Sequence, residues 1–400
     1  MLSDTAYPIV KATLPVVGEN IQEIARRFYG HMFGEHPELM DGLFNRGNQA
    51  DGSQQQALAG SVAAYAGVLV NTPTELPDHL LSRISHKHVS LGLRPDQYQI
   101  VHDHLMWAIG DVLGDAVTPE VAAAWDEVYW LMANALITKE RGLYDAVRLA
   151  PETVWRTWRV VEKIRETVDV VTFVVERTDE REVKPSLPGQ YVTVKMEMPD
   201  GVHQPRQYSL TQADDGLHRV FAVKRVPGNG TPAGEMSTLL HDRVQVGDEL
   251  TLSVPSGDVV LEYTDRPLVL ASAGIGVTPM AGMLSHLVKD GSQRTVRFLH
   301  ADASAETFAL REQIEEDLGT LPDGSLTSWF EQPPATPAPQ EHAGFMDVGA
   351  VELPRDAQYF LCGPLVFMQA VRSGLIAKGV SAKDIQYEVF GPDLWLADFE

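Results

Sequence analysis

Three short strings stand in a fixed order in the second half of the chain: Arg206-Gln207-Tyr208-Ser209, Gly274-Ile275-Gly276-Val277-Thr278-Pro279 and Cys362-Gly363-Pro364. Arg206 offers a planar guanidinium fork of the kind that grips a phosphate. Tyr208 follows two residues later, on the same face of a strand, where its ring can lie against a flat isoalloxazine. Ser209 adds a hydroxyl for the flavin nitrogen that receives hydride. The glycine string lets backbone come close to a second pyrophosphate at a strand end. It lacks the three spaced glycines of the dinucleotide fingerprint, so that inference does not follow from it. Gly234-Glu235-Met236-Ser237-Thr238 precedes an apolar helical stretch. It reads equally as backbone N–H groups for the same phosphates or as a plain helix cap. Singly, each string also reads as structure: an exposed arginine, a core tyrosine, a packed thiol at Cys362. In this order they describe hydride transfer from a nicotinamide to a flavin.

The first 148 residues carry chemistry of another kind. His86-Lys87-His88-Val89-Ser90 places two histidines two residues apart, on different faces of a helix. A lone histidine in an amphipathic helix is usually structural, but others accompany these. Tyr29 lies in Arg27-Phe28-Tyr29-Gly30-His31-Met32-Phe33, Phe44 follows His36-Pro37-Glu38, and Gln54 and Leu58 are four residues apart and share a helical face.

The elements that must position these residues change character along the chain. Residues 1–148 read as helical throughout, with apolar positions at three- and four-residue steps such as Val121, Trp125, Val128, Met132 and Leu136. Asn71-Thr72-Pro73, Leu93-Arg94-Pro95-Asp96 and Val117-Thr118-Pro119-Glu120 mark turns, and Ala150-Pro151-Glu152 a boundary. From Trp155 the period becomes two. Runs at 160–164, 170–175, 191–195 and 219–223 are β-branched and alternating, which predicts an antiparallel Greek-key β-barrel. After Arg266-Pro267, strands at 268–271, 296–300 and 358–361 alternate with helices, which predicts a parallel α/β sheet. The Pro-rich piece 332–340 reads as a surface loop. The expected domains are 1–150, 151–265 and 266–400.

Composition narrows the partners. A hydrophobic share of 44% with 22% charged residues is that of a globular protein, and 400 residues are too many for one core. A formal net charge of −23 disfavours nucleic acid and anionic membrane. No apolar run approaches a membrane span, and Met1-Leu2-Ser3-Asp4-Thr5 lacks the basic start of a signal peptide, so the expected location is the cytoplasm. With Cys362 as the sole cysteine there is no internal disulfide and no cysteine-held cluster; any electron carrier is organic or held by histidine.

Residues 155–400 resemble the ferredoxin–NADP reductase superfamily, an FAD-binding barrel followed by a nicotinamide domain. The resemblance implies cofactor-binding roles for Tyr191, Arg206, Gln207, Tyr208, Ser209, Gly234, Met236, Ser237, Gly274, Gly276, Val277, Thr278, Pro279, Cys362, Gly363 and Pro364. Tyr387-Glu388-Val389-Phe390-Gly391-Pro392 is similar to the segment that closes over the flavin, which brings in Glu388 and lets Phe390 stack on the ring. The helical head resembles a globin. Lys87-His88-Val89-Ser90 matches that family's Lys-His-x-Ser pattern, so His88 is implied as the iron ligand and His86 as solvated. Tyr98 and Glu140 match the proximal partners, Tyr29 and Gln54 the distal hydrogen-bonding pair, and Phe44, Leu58 and Lys87 complete the haem surroundings.

Globin and reductase together resemble a flavohaemoglobin over essentially the whole chain. That resemblance implies haem b, FAD and NADH or NADPH as cofactors, and a monomer that uses O2 and nitric oxide as substrates. The implied activity is nitric oxide dioxygenase: NAD(P)H reduces FAD, FAD reduces the haem iron, and Fe(II)-O2 oxidises NO to nitrate. A haem-based O2 or NO sensor and a peroxide reductase are the alternatives. Asp302, in His300-Ala301-Asp302-Ala303-Ser304, would repel a 2′-phosphate and points to NADH. Residues 393–400 run past the family's usual stop and have no assigned role, and the junction Pro151-Glu152-Thr153-Val154-Trp155 does not match closely.

Overall fold

The computed structural model describes residues 1–74, 76–228 and 233–391. The extension 393–400 lies outside the described residues. Among the described residues, six α-helices fill the first part: α1 (Ala6–Glu35), α2 (Arg46–Ala50), α3 (Ser53–Asn71), α4 (Asp78–Leu91), α5 (Gln97–Leu113) and α6 (Pro119–Val147). Their ends follow local chemistry. Thr118 accepts from the Val121 N–H, and Pro119 opens α6 where a missing donor costs nothing. Gly92 ends α4 at φ +74, a left-handed conformation that glycine adopts without strain. The apolar stripes meet in one core that includes Ile24, Phe28, Met32, Leu69, Leu105, Val128 and Leu136. Each such side chain contributes about 1.5–3 kcal/mol on full burial.

The period-two region forms β1 (Arg156–Arg165), β2 (Val170–Arg177), β3 (Tyr191–Glu197), β4 (His203–Ser209), β5 (His218–Lys224) and β6 (Glu249–Leu252), with α7 (Glu235–Asp242) before β6. They make a six-stranded sheet of order β4-β3-β6-β1-β2-β5, antiparallel at β1/β2 and β2/β5. The string Arg206–Ser209 ends β4.

The last part contains β7 (Leu268–Ala273), α8 (Val277–Lys289), β8 (Thr295–Ser304), α9 (Arg311–Thr320), β9 (Asp323–Gln332), β10 (Glu341–Ala343), β11 (Gln358–Cys362), α10 (Leu365–Ala377) and β12 (Ile385–Glu388). All pairs are parallel, in the order β10-β9-β8-β7-β11-β12. Strand order reverses between β7 and β11, and the glycine string and Cys-Gly-Pro string leave the carboxyl ends of those two strands. That is a topological switch point, where open α/β sheets bind ligands. The sequence reading did not identify β9, β10 or β12, and it ended β8 at His300, four residues early. The Pro-rich piece connects β9 to β10.

The chain divides into two compact units, one built on Met1–Arg156 with Lys195–Arg206, the other on Thr157–Val194 with Gln207–Phe390. Among the described residues, no helix is long and apolar enough to cross a membrane.

One helix carries an electrostatic cost. Burial pushes the Asp317 carboxyl on α9 up to about 6, with a hydrogen bond from Gln313 opposing and the Glu316 charge adding to the rise. Its Oδ2 atom is buried without a hydrogen-bond partner. A raised folded-state value means that the charged form is penalised in the native state: fully above pH 6, and not at all below the unfolded value of about 3.9. Asp317→Asn is therefore expected to stabilise the protein by about 1 kcal/mol at pH 7.5, after a discount for partial solvent screening. The gain in melting temperature should fade as pH falls from 6 towards 4; a gain independent of pH would contradict this account.

Candidate functional site

Three helices of the head bring His88, Tyr98 and Glu140 together. Glu140 on α6 is 2% exposed, and its Oε1 accepts from the Tyr98 hydroxyl at 2.5 Å and lies 2.7 Å from His88 Nδ1. A buried carboxylate takes its hydrogen bond from Nδ1–H, which fixes the imidazole tautomer and leaves the lone pair on Nε2. Burial, then the Glu140 charge, push the Tyr98 phenol far up, so it is a permanent donor. Two further hydroxyls, not picked out from the sequence, brace this trio. Tyr129 donates to the Tyr98 carbonyl at 2.6 Å, and Tyr144 to the Leu93 carbonyl just beyond α4 at 2.9 Å. Tyr144 lies four residues after Glu140 on α6, so spacing alone could have flagged it. Ser90 of the Lys-His-x-Ser string donates to the Lys87 carbonyl at 2.8 Å, closing the helix end. Lys87 is half-buried. So is His86, which was expected to be solvated; α4 is enclosed on more than one face.

A second group forms around Tyr29, 5% exposed on α1. Its hydroxyl hydrogen-bonds the Gln54 side chain, and burial pushes the phenol far up. Its ring lies 5.7 Å from Phe33 and 6.0 Å from Phe44. Leu58, one turn beyond Gln54 on α3, packs on the same core. Phe44, Leu58, Val62 and Ile84 border that core while remaining partly exposed, a lining that suits a flat apolar macrocycle. With an imidazole whose Nε2 is the available donor, these residues fit haem.

In the reductase part, the Tyr208 ring stacks on Phe221 at 5.6 Å, and Gln207 Nε2 donates to Thr193 Oγ1 at 3.2 Å. Arg206 Nη1 donates to the Pro205 carbonyl at 2.7 Å, and Ser209 is buried. Tyr191 exchanges both backbone hydrogen bonds with Ser256 at 2.9 Å. At the start of α7, Ser237 Oγ accepts from the Val226 N–H at 3.1 Å and donates to the Gly234 carbonyl at 3.0 Å. That hydroxyl fastens the loop. A Cβ on Gly234 would stand 2.7 Å from Ser237 Oγ, and Met236 anchors the helix in the core.

The glycine string and the Cys-Gly-Pro string touch backbone to backbone. A Cβ on Gly276 would collide with the Cys362 carbonyl oxygen and stand 2.7 Å from the Gly363 nitrogen. Gly363 is itself hemmed in by Phe367 and Ala273. Val277, Thr278 and Pro279 are buried at the start of α8, where Thr278 Oγ1 donates to the Ile275 carbonyl at 3.0 Å; Gly274 has φ +51. Cys362 is 1% exposed, and burial, then the Glu388 charge, push its thiol well up, so it stays a neutral packing group. Glu388 pairs with Cys362 in the β11/β12 ladder. Pro364 is exposed at the start of α10, and Phe390 is half-exposed.

A further contact was not legible from the motifs. Gly282, Ser285 and Lys289 share one face of α8, and that face meets the residues directly after Ser209. A Cβ on Gly282 would collide with the Leu210 carbonyl oxygen; Ser285 Oγ accepts from the Ala213 N–H at 3.1 Å; Lys289 donates to the Asp214 carbonyl. Gln313 Nε2 adds a bond to the Thr211 carbonyl at 2.8 Å. The helix that follows the glycine turn is thus pinned to the end of the Arg206–Ser209 strand.

Asp302 departs from expectation. It lies inside β8 with its side chain 6% exposed, accepting from Thr307 Oγ1 at 2.6 Å and from the Ala303 N–H at 2.7 Å. A carboxylate spent on its own loop is not presented to a ribose, so the argument from Asp302 to NADH loses its physical basis.

These features define a class: a haem globin joined to a flavin- and nicotinamide-binding reductase. Family models agree, with Globin matching residues 26–136, Oxidoreductase FAD-binding domain 157–261 and Oxidoreductase NAD-binding domain 270–373. The chain is 42% identical to a flavohemoprotein of Bordetella parapertussis over 98% of this chain and 99% of that one. It superposes on a flavohemoglobin of Malassezia yamatoensis with bound FAD and heme at a TM-score of 0.90, with 39% identity over 98% of this chain and 100% of that one. The FAD/NAD-binding domain of a nitric oxide dioxygenase from Vibrio cholerae is similar at 35% identity and a TM-score of 0.55, covering 59% of this chain and 99% of that one. The chain belongs to the flavohaemoglobin family, and its cofactors are haem, FAD and a nicotinamide nucleotide.

Proposed function

We propose that this chain is an NAD(P)H-dependent nitric oxide dioxygenase, organised as a haem domain over 1–150, an FAD domain over 151–265 and a nicotinamide domain over 266–400. One NAD(P)H carries two electrons, so two NO and two O2 give two nitrates, NAD(P)+ and a proton. Bound haem supplies the iron at which the gases react, and bound FAD converts a two-electron hydride into single electrons. The observation that carries the reading is the buried Glu140 carboxylate on His88 Nδ1 at 2.7 Å. A carboxylate there makes the imidazole electron-rich, which favours reaction of O2 over its storage. The likeness of the reductase part to the Vibrio cholerae protein points the same way.

The remaining residues take supporting roles. Tyr29, kept protonated by burial and oriented by Gln54, donates a hydrogen bond to the gas. Phe44, Leu58 and Lys87 flank the macrocycle. Arg206 neutralises the FAD pyrophosphate with help from the Gly234–Ser237 turn; Tyr191, Gln207, Tyr208 and Ser209 orient the ring system. The 274–279 turn and Cys362-Gly363-Pro364 form the floor for the nicotinamide nucleotide, and Glu388 and Phe390 guard the hydride face.

NO consumption by the NADH-supplied enzyme should require O2 and yield nitrate; equal rates without O2 would overturn the proposal. Tyr29→Phe is expected to speed O2 dissociation about tenfold or more, as for a lost buried hydrogen bond, while flavin reduction keeps its rate. Unchanged O2 dissociation would remove Tyr29 from the distal role.

A further inference from the structure

A second cluster of ligating side chains lies in the globin head, apart from His88 and its partners. His31 and Glu35 are four residues apart on the last turns of α1 and share one face, and His104 projects from α5. His31 sits two residues beyond Tyr29, which turns it to the opposite side of α1. The two imidazoles meet nitrogen to nitrogen, with His31 Nδ1 2.6 Å from His104 Nδ1. The Glu35 carboxylate is 3.4 Å from His31 Nε2, and one ligand atom from each of the three residues falls within 4.8 Å of the others.

We propose that His31, Glu35 and His104 form a binding site for a divalent transition-metal ion of the zinc type. Between two neutral rings this contact is a hydrogen bond, one ring carrying its proton on Nδ1 and the other accepting it. A cation between them satisfies both lone pairs, each ring then carrying its proton on Nε2. Tetrahedral coordination at about 2.0–2.1 Å per nitrogen sets the two donors about 3.3 Å apart, a small ring tilt from their present position. Glu35 has a 61% exposed side chain, free to swing onto the ion as the third donor and to offset its charge. Two imidazoles and one carboxylate select zinc, copper or nickel over magnesium and calcium, which require oxygen donors. The ion would clamp the end of α1 to α5.

The test uses the full-length chain loaded with haem and FAD, so that His88 is occupied, titrated calorimetrically with ZnCl2 in excess Mg2+ to saturate surface carboxylates. One tight equivalent is expected, weakened at least about tenfold by His31→Gln and by Glu35→Gln. These positions are chosen because His104 is only 5% exposed and its replacement disturbs packing. A second readout is local. Trp107 stacks on His31 at 3.8 Å with planes 8° apart, so Cu2+ should quench a fluorescence component that is missing in Trp107→Phe. Identical zinc stoichiometry and affinity in the parent protein and the His31→Gln/Glu35→Gln double variant would overturn the proposal, as would quenching unaffected by Trp107→Phe.

Discussion

Gly276→Ala should slow reduction of the flavin by NADH by about hundredfold while the haem absorption spectrum stays that of the parent protein. The added methyl group has nowhere to go: it collides with the carbonyl of Cys362 and reaches 2.7 Å from the Gly363 nitrogen, both of them backbone atoms. A flexible side chain could yield at small cost, but a turn held between β7 and β11 must move as a unit. Overpacking of this kind costs about 1–3 kcal/mol in stability, and a misplacement near 1 Å at a reacting centre costs far more in rate. Gly274→Ala provides the contrast. A Cβ at Gly274 meets nothing within 4 Å and suffers only from φ +51, so that variant should lose about tenfold at most. Anaerobic stopped-flow reduction followed at the flavin absorbance, with melting curves for each variant, distinguishes the two. A Gly276→Ala protein that reduces its flavin at the parent rate would show that the close packing of the two turns has no part in hydride transfer.

That contact also marks the limit of what spacing conveys. Gly276 stands out in the sequence as part of a glycine turn after a buried strand, and phosphate approach is the obvious reason for it. The structure supplies another: the residue is small because a neighbouring strand end, about 86 residues away in sequence, presses on it. Long-range backbone contact has no local signature. Helices α1 and α3 to α6 were legible because their apolar residues recur with the helical period, and β7 because it is an uninterrupted apolar run. Strand β9 was not, since it opens on Asp323-Gly324-Ser325, which reads as a turn, and β12 was not, since its alternation of buried Ile385 and Tyr387 with Gln386 and Glu388 spans only four residues. The site shows the same division. His88, Tyr98 and Glu140 were found through a family pattern and meet in the structure; Tyr129, which holds Tyr98 through its backbone carbonyl, looks in the sequence like a core aromatic, and only the four-residue spacing from Glu140 marks Tyr144, which holds the Leu93 carbonyl. The α8 face that grips residues 210–214 was invisible for the same reason: it acts through backbone N–H and carbonyl groups and one missing side chain.

The largest effect on the haem side should come from Glu140. Glu140→Gln keeps an oxygen to accept from Tyr98 and His88 but removes the charge, so haem should remain bound. The His88 imidazole then becomes a weaker electron donor. NO turnover is expected to fall about ten- to hundredfold, the iron midpoint potential to rise, and the ferrous iron–histidine stretching frequency to drop. The latter two readouts matter because a purely structural role for Glu140 would leave them unmoved. Glu140→Leu goes further. It strands the Tyr98 hydroxyl proton, on a residue 6% exposed, without its acceptor, at about 1–3 kcal/mol, and leaves the His88 Nδ1–H only the Tyr98 oxygen at 3.1 Å. Its globin should therefore melt earlier and release haem faster, whereas Glu140→Gln should not. If Glu140→Gln shifts neither the potential nor the stretching frequency, the carboxylate serves only to fill and fasten α6 against α4. The case for oxygen chemistry over oxygen storage would then have to rest on Tyr29 and Gln54, because Glu140 is the carboxylate hydrogen-bonded to His88 among the described residues.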